Sequence, residues 1–513
     1  MLQIKNLTLT HRKDLRPILK SFSCTLNPGD KAVIIGEEGN GKSTLLKCIY
    51  NPSLIEDYCE VEGEIIRNRE RLSYLPQELP EEKQRLTVCE YFLEEEHFFD
   101  QTPKELARLA SEFHVPSDFY YREQQMRTLS GGEKVKAQLM RIFMQEPTVL
   151  LLDEPSNDID LETLEWLEQF LTDFGHPVLF ISHDETLIEH TANMVIHIEQ
   201  IRRKTVSRYT VAKMPYLQYK EERLRQFANQ ERQAESERRE KKIQEEKLKR
   251  IYQSVDYAQE TISRQNPAGG RLLKKKMHAV KSMERRFERE NEQMTEMPEQ
   301  EEAIFFKLGE KSQTIPNGKT VLDYELEKLY TQDGERVLAE HIGLLVRGPE
   351  KICITGKNGC GKTTLLKKMA EQMTERTDIH AEYMPQNYED LLNMQITPVD
   401  YLDQTGEKEE RTRIRTFLGS LKYTADEMDH PIAELSGGQK AKIFLLKMSL
   451  SGANVLLLDE PTRNFSPLSG PVIRNMLSSF PGAIISISHD RKYIREVCGK
   501  VYRLTEKGLT EEV

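Results

Sequence analysis

The stretch "GEEGNGKST" at residues 36–44 decides the fold. It follows an apolar run, "KAVII", and leads into "LLKCIY", so a buried strand runs through a glycine-rich turn into a helix. The spacing is Gly36-x4-Gly41-Lys42-Ser43. Glycines let backbone N–H groups close around phosphate oxygens, and the helix N-terminus adds free donors and a favourable dipole. In such a loop Gly36, Glu37, Glu38, Gly39, Asn40, Gly41, Lys42, Ser43 and Thr44 surround a nucleotide's phosphates. Lys42 reaches the β/γ-phosphates, and the Ser43 hydroxyl helps hold Mg2+.

The loop occurs twice. "GKNGCGKTT" at 356–364 supplies Gly356, Lys357, Asn358, Gly359, Cys360, Gly361, Lys362, Thr363 and Thr364. Four further pairs follow in the same order: "YLPQ" and "YMPQ", "LSGGEK" and "LSGGQK", "VLLLDEP" twice, and "ISHD" twice. Two homologous domains are therefore expected, at 1–207 and 301–513, with a linker at 208–300. Apolar runs alternating with amphipathic stretches predict α/β domains with mainly parallel sheets.

Each further motif carries chemistry. Asp153-Glu154 and Asp459-Glu460 end strands, which places Asp153 and Asp459 near the Mg2+ and Glu154 and Glu460 where they can orient or deprotonate water. Gln77 and Gln386 follow Tyr-x-Pro turns and are candidate sensors of Mg2+ and water. His183 and His489 follow strands and are candidate γ-phosphate contacts. Ser130, Gly131 and Gly132, like Ser436, Gly437 and Gly438, open a second helix whose N-terminus suits a phosphate. One domain hardly needs two such termini, so each is expected to serve the nucleotide held by the other domain.

These residues, in this order, resemble the ATP-binding cassette family. The resemblance implies head-to-tail pairing and two composite ATP sites, with Gly36–Ser43 facing Ser436 and Gly356–Thr363 facing Ser130. It also implies an aromatic residue stacked on adenine about 25 residues upstream of each phosphate loop. Tyr330 stands there in the second repeat; His11 stands there in the first and departs from the pattern. Asp160 of the first repeat corresponds to Ser466 of the second, which implies unequal sites.

Bulk properties narrow the class. No apolar run approaches the roughly 20 residues of a membrane helix, and there is no signal-peptide core. Seven scattered cysteines without a C-x-x-C pair point to a reducing cytoplasm and against a zinc site. The net charge of −11 disfavours a nucleic-acid-binding surface overall. Residues 220–290, however, hold 20 Lys/Arg against 13 Asp/Glu.

The linker is rich in helix formers, with no Pro or Gly from 217 to 262. Leu248, Ile251, Tyr252, Val255 and Ile262 fall at helical spacing, as do Leu273, Met277, Val280 and Phe287. Two apolar stripes separated by a turn predict a long antiparallel α-helical hairpin. Pro267, Gly269 and Gly270 are read as its turn, within a basic tip at 261–283 that contains no acid. Arg264, Gln265, Asn266, Arg271, Lys274, Lys275, Lys276 and Lys281 are its candidate RNA contacts.

Two complete cassettes around a helical hairpin resemble the ABC-F subfamily, which are cytoplasmic ATPases of the ribosome. Near-equal distances from Gln77 to Leu129 and from Gln386 to Leu435, 52 and 49 residues, argue against an arm insertion in the first cassette. "TRNFSPLSG" at 462–470 resembles the antibiotic-resistance members. The resemblance implies an ATPase that uses ATP and Mg2+ and acts as a monomer with intramolecular cassette pairing. It binds the exit-site region of the ribosome when closed by ATP, with its tip on peptidyl-site tRNA and rRNA, and engages neither DNA nor membrane. Two rivals stay open: a housekeeping translation factor, and a tandem ATPase of a membrane transporter.

Overall fold

The computed structural model describes residues 1–13, 15–201, 206–261, 267–291, 295, 308, 314–331 and 334–512. Each repeat is built on a six-stranded sheet, and the two sheets have the same strand order. In the first the order is Leu72–Leu75, Val149–Asp153, Val178–Ile181, Lys31–Ile35, Met194–Ile201 and Val206–Ala212. In the second it is Ala381–Met384, Val455–Asp459, Ala483–Ile487, Lys351–Thr355, Lys500–Thr505 and Gly508–Glu512. Five strands of each sheet run parallel, and the last is antiparallel.

The apolar runs become the central strands because both faces are covered. All five residues of Val149–Asp153 and of Val455–Asp459 are buried. Each buried Val or Leu contributes roughly 1.5–3 kcal/mol relative to exposure. The register then positions chemistry. Asp153 pairs with Ile181 and Asp459 with Ile487, so each acidic strand end lies beside the strand that leads into Ser182-His183 or Ser488-His489. A smaller antiparallel sheet accompanies each: Pro17–Leu26, Leu2–His11 and Cys59–Ile66 in the first, Thr320–Tyr330 with Val337–Arg347 in the second.

Two compact units result. Met1–Tyr216 with Glu301–Val513 form one, and Leu217–Gln300 form the other. The boundary expected at 207 is corrected to 216, because Val206–Ala212 completes the first sheet by pairing with Met194–Ile201.

Within the second unit, the helices Tyr216–Thr261 and Pro267–Asn291 run antiparallel. The Tyr252 hydroxyl donates to Glu284 at 3.0 Å, and Glu237 accepts from the Thr295 hydroxyl at 2.9 Å, so one index falls as the other rises. Val255 and Val280 are buried on the apolar stripes. Pro267, Gly269 and Gly270 are not the turn: the second helix begins at Pro267 and includes both glycines. Proline suits a first helical position, where its missing N–H costs nothing. Arg271, Lys274, Lys275, Lys276 and Lys281 are exposed, while Arg264, Gln265 and Asn266 lie outside the described residues.

Candidate nucleotide sites

Each phosphate loop joins its central strand to a helix, Lys42–Tyr50 in the first repeat and Lys362–Thr374 in the second. Gly36 and Gly356 have φ of 146° and 145°. A Cβ on them would lie 2.2 Å from the Ile198 carbonyl oxygen and 2.7 Å from that of Leu504. Backbone packing therefore excludes any other residue there. Asn40 anchors the first loop by donating to the Ile198 carbonyl at 3.1 Å. The two lysines fold back alike: Lys42 donates to the carbonyls of Gly36 and Glu37, and Lys362 to those of Gly356 and Lys357.

The strand ends differ between the sites. At the first, Ser43 and Tyr74 donate to the two oxygens of Asp153 at 2.9 and 3.0 Å. His183 lies 3.1 Å from Glu154, and its other ring nitrogen is 2.7 Å from the Phe465 carbonyl of the second cassette. Burial opposes ionisation of Glu154, but His183 overrides it and pulls the carboxyl down to about 2. Burial likewise opposes a charged His183, and Glu154 holds the ring above its usual value. At the second site His489 stands farther off, 3.8 Å from Glu460. Burial, with Asp459 adding to it, pushes Glu460 up to about 8. Burial and then Lys362 push His489 down to about 4. Glu154 and Glu460 both have φ of 52°, backbone strain of the kind concentrated at functional positions.

The cassettes pair head to tail. A cavity of about 790 Å3 lies between the second phosphate loop and the signature of the first cassette, "LSGGE" at 129–133, whose counterpart in the second is "LSGGQ" at 435–439. Its lining includes Ser130, Gly131, Asn358, Gly359, Lys362, Thr363 and Thr364, together with Gln386, Asp459, Glu460, His183 and His489. At the opposite junction the first phosphate loop meets the second signature: the Gly438 N–H donates to Glu38. Ser130 and Ser436 cap their helices, accepting from the backbone N–H groups of Glu133 and Gln439.

Other expected residues are placed less directly. Gln386 lines the cavity and donates to Asp158 at 3.2 Å, whereas Gln77 is exposed. His11 and Tyr330 both end strands, and Tyr330 is 43% exposed. The cavity is lined beside it by Thr331, Arg336 and Leu338, which the sequence reading did not single out. Asp158 was also missed. It accepts from Gln386 and pairs with Arg463 at 2.9 Å, a link between cassettes that no local motif announces.

A divalent cation fits the second site. Asp459 is 1% exposed, and its Oδ2 is buried with no hydrogen-bond partner among the described residues. No group of three His, Cys, Asp or Glu among the described residues could hold a metal by itself. A cation here would take the remaining oxygens from phosphates and water, as Mg2+ commonly does.

The ABC transporter family model matches residues 19–157 and 339–463, which contain both phosphate loops, both signatures and both acidic strand ends. The chain belongs to the ABC transporter family. It is an ATPase of that family, with two cassettes in one chain. It is 28% identical to the ribosome protection protein VmlR of Bacillus subtilis, over 97% of this chain and 85% of that protein. It is 25% identical to ABC transporter F family member 5 of Arabidopsis thaliana, over 96% of this chain and 74% of that one. Matches that span nearly all of this chain agree with the ABC-F layout. Among solved structures, the archaeal ribosome recycling factor aABCE1, in complex with stalk protein aP1, shares the fold. Its TM-score is 0.60 at 16% identity, covering 99% of this chain and 89% of that one. Among the described residues of this ABC protein, no helix is long and apolar enough to cross a membrane.

Proposed function

We propose that this ABC-F ATPase is an ATP-switched factor of the cytoplasmic ribosome. ATP sets the closed arrangement of the cassettes. In that form the factor occupies the exit-site region. The basic end of the hairpin lies against peptidyl-site tRNA and rRNA near the peptidyl-transferase centre, and so protects the ribosome from antibiotics. The observation that carries the reading is the joining of two complete cassettes by a hairpin whose Arg271, Lys274, Lys275, Lys276 and Lys281 are all exposed. No acid falls between 261 and 283 to offset them, and phosphate backbones attract such a surface. The similarity to a ribosome protection protein over nearly the whole chain supports the same reading.

In this reading Lys42 and Lys362 release their loop carbonyls to bind phosphate. Ser43 with Asp153, and Thr363 with Asp459, would hold Mg2+, which supplies charge neutralisation at the phosphates. Gln77 and Gln386 sense that cation and the water. Glu154 and Glu460 orient the water, and His183 and His489 contact the terminal phosphate. His11 and Tyr330 lie against the adenine.

The test is the double variant Glu154→Gln with Glu460→Gln, sedimented with ribosomes in ATP. It should remain bound after the wild type has dissociated. Normal release would reject the model. The match to F-family members not named for drug protection favours a second reading, a general translation factor. Unchanged susceptibility of a deletion strain to every class of ribosome-targeting drug would select it.

A further inference from the structure

The two phosphate loops differ most at their second and third residues: Glu37 and Glu38 in the first, Lys357 and Asn358 in the second. The difference is written into the pairing of the cassettes. Asn358 is a donor, and its amide reaches the Asp158 carbonyl of the opposite cassette. A carboxylate in that place cannot donate. Glu38 turns instead to a donor, the Gly438 N–H at the start of the signature helix Gly437–Ser451. A Cβ on Gly437 would lie 3.1 Å from either Glu38 oxygen, so the carboxylate sits directly on the helix terminus.

Glu37 reinforces this. Its carboxylate accepts from the Ser469 hydroxyl at 2.7 Å and from Ser466 and Lys442 at 3.3 Å, all from the second cassette, and its side chain is only 12% exposed. Ser466 occupies the place that Asp160 holds in the first cassette. There Asp160 accepts from the Thr163 N–H to cap the helix Leu161–Asp173. A carboxylate at 466 would face that of Glu37. The exchange of Asp for Ser and the presence of Glu37 are thus two halves of one contact.

We propose that Glu37 and Glu38 are built-in carboxylate substitutes for the terminal phosphate at the first composite site. They hold the first phosphate loop against the second signature without nucleotide, and they make that site discriminate against a triphosphate. The signature N–H groups approach from the opposite cassette, where the outermost phosphate would end. ATP must displace Glu38 from Gly438 and place its charge beside two carboxylates. ADP, held through its inner phosphates by the loop's own amides, need not. The second site carries neither acid and keeps an open cavity at the matching place.

The test uses the full chain with Lys362→Ala to silence the second site. Binding of a non-hydrolysable ATP analogue and of ADP is titrated for Glu38 and for Glu38→Asn. Loss of one charged hydrogen bond and of the like-charge repulsion predicts a rise of about tenfold in the ratio of ATP to ADP affinity. ADP affinity in the same titration reports that the loop remains folded. A second variant, Ser466→Asp, leaves the phosphate loop untouched and should loosen the first junction by setting a carboxylate against Glu37. Equal changes in ATP and ADP affinity for Glu38→Asn, loss of both, or no change at all would overturn the proposal. So would a Ser466→Asp protein whose first-site ratio is that of the parent.

Discussion

Arg474 and Glu185 join the two cassettes through a buried ion pair at 2.8 Å, with side chains 4% and 3% exposed. Replacing Arg474 by Met keeps the volume and removes the charge. Breaking a fully buried pair from one side costs about 3–5 kcal/mol. Here the cost is smaller, because Lys492 remains 3.3 Å from Glu185, and Arg474 was shared with the half-exposed Glu496 at 2.7 Å. About 2–3 kcal/mol is expected, relieved by opening the cassettes so that water reaches Glu185. That shifts the equilibrium toward the open form by about 30- to 160-fold. Fluorophores at the exposed Glu165 and Glu371, one on each cassette, would read the change by energy transfer. The double variant Arg474→Met with Glu185→Gln removes the stranded charge and should recover most of the closed population. If Arg474→Met closes as well as the parent, or the double variant is as open as the single, the reasoning fails.

Three other outcomes follow from the same geometry. Gly131→Ala would place a Cβ 1.6 Å from the Asp158 carbonyl oxygen, so the loop carrying Asp158 must move. ATPase activity should fall at least about tenfold, with an overpacking cost of about 1–3 kcal/mol in urea unfolding; unaltered activity would contradict it. In NMR titrations of labelled histidines, His183 should titrate above 6.5 and His489 at about 4. The His183 contribution to stability is complete below its unfolded value and is lost as pH rises through the raised one. That of His489 is present above 6.5 and is lost as pH falls through about 4. Glu154→Gln should lower the His183 value, and no response would remove the ion pair from the account. Changing Lys274, Lys275 and Lys276 together to Gln should flatten the salt dependence of ribosome binding by about 2–3 in log–log slope, measured by sedimentation at several salt concentrations. An unchanged slope would take the phosphates away from this end of the hairpin.

Features legible in the sequence were those whose cause is local. A strand, a glycine turn and a helix opening on Lys42 are specified by consecutive residues, and repetition at Lys362 removed the ambiguity of a single motif. The paired strand ends were legible for the same reason, since "VLLLDEP" states both burial and its end. The hairpin's two helices followed from composition, but its turn was misplaced. Pro267, Gly269 and Gly270 punctuate turns in general, yet a proline at the first position of a helix is compatible with helix. Two early glycines cost only about 1 kcal/mol each. The end of the first cassette was missed because Val206–Ala212 is half exposed and has no motif; only its pairing with Met194–Ile201 shows where it belongs.

The inequality of the two sites lay in plain view as Glu37-Glu38 against Lys357-Asn358, and as Asp160 against Ser466. Neither difference has a meaning until its partner is known, and the partners are some 400 residues away in sequence. Once they are placed, the differences agree. At the first junction carboxylates of the phosphate loop meet the signature helix and Ser469, and His183 is held by both Glu154 and the Phe465 carbonyl. Glu37, Glu38 and His183 are thus engaged across the junction. At the second, Asp459 keeps a buried oxygen unpartnered among the described residues, and Glu460 is held up to about 8, a neutral acid at pH 7. On the proposal that Glu37 and Glu38 stand in for a phosphate, the second site gains more from binding than the first, whose carboxylates already engage the signature helix and Ser469.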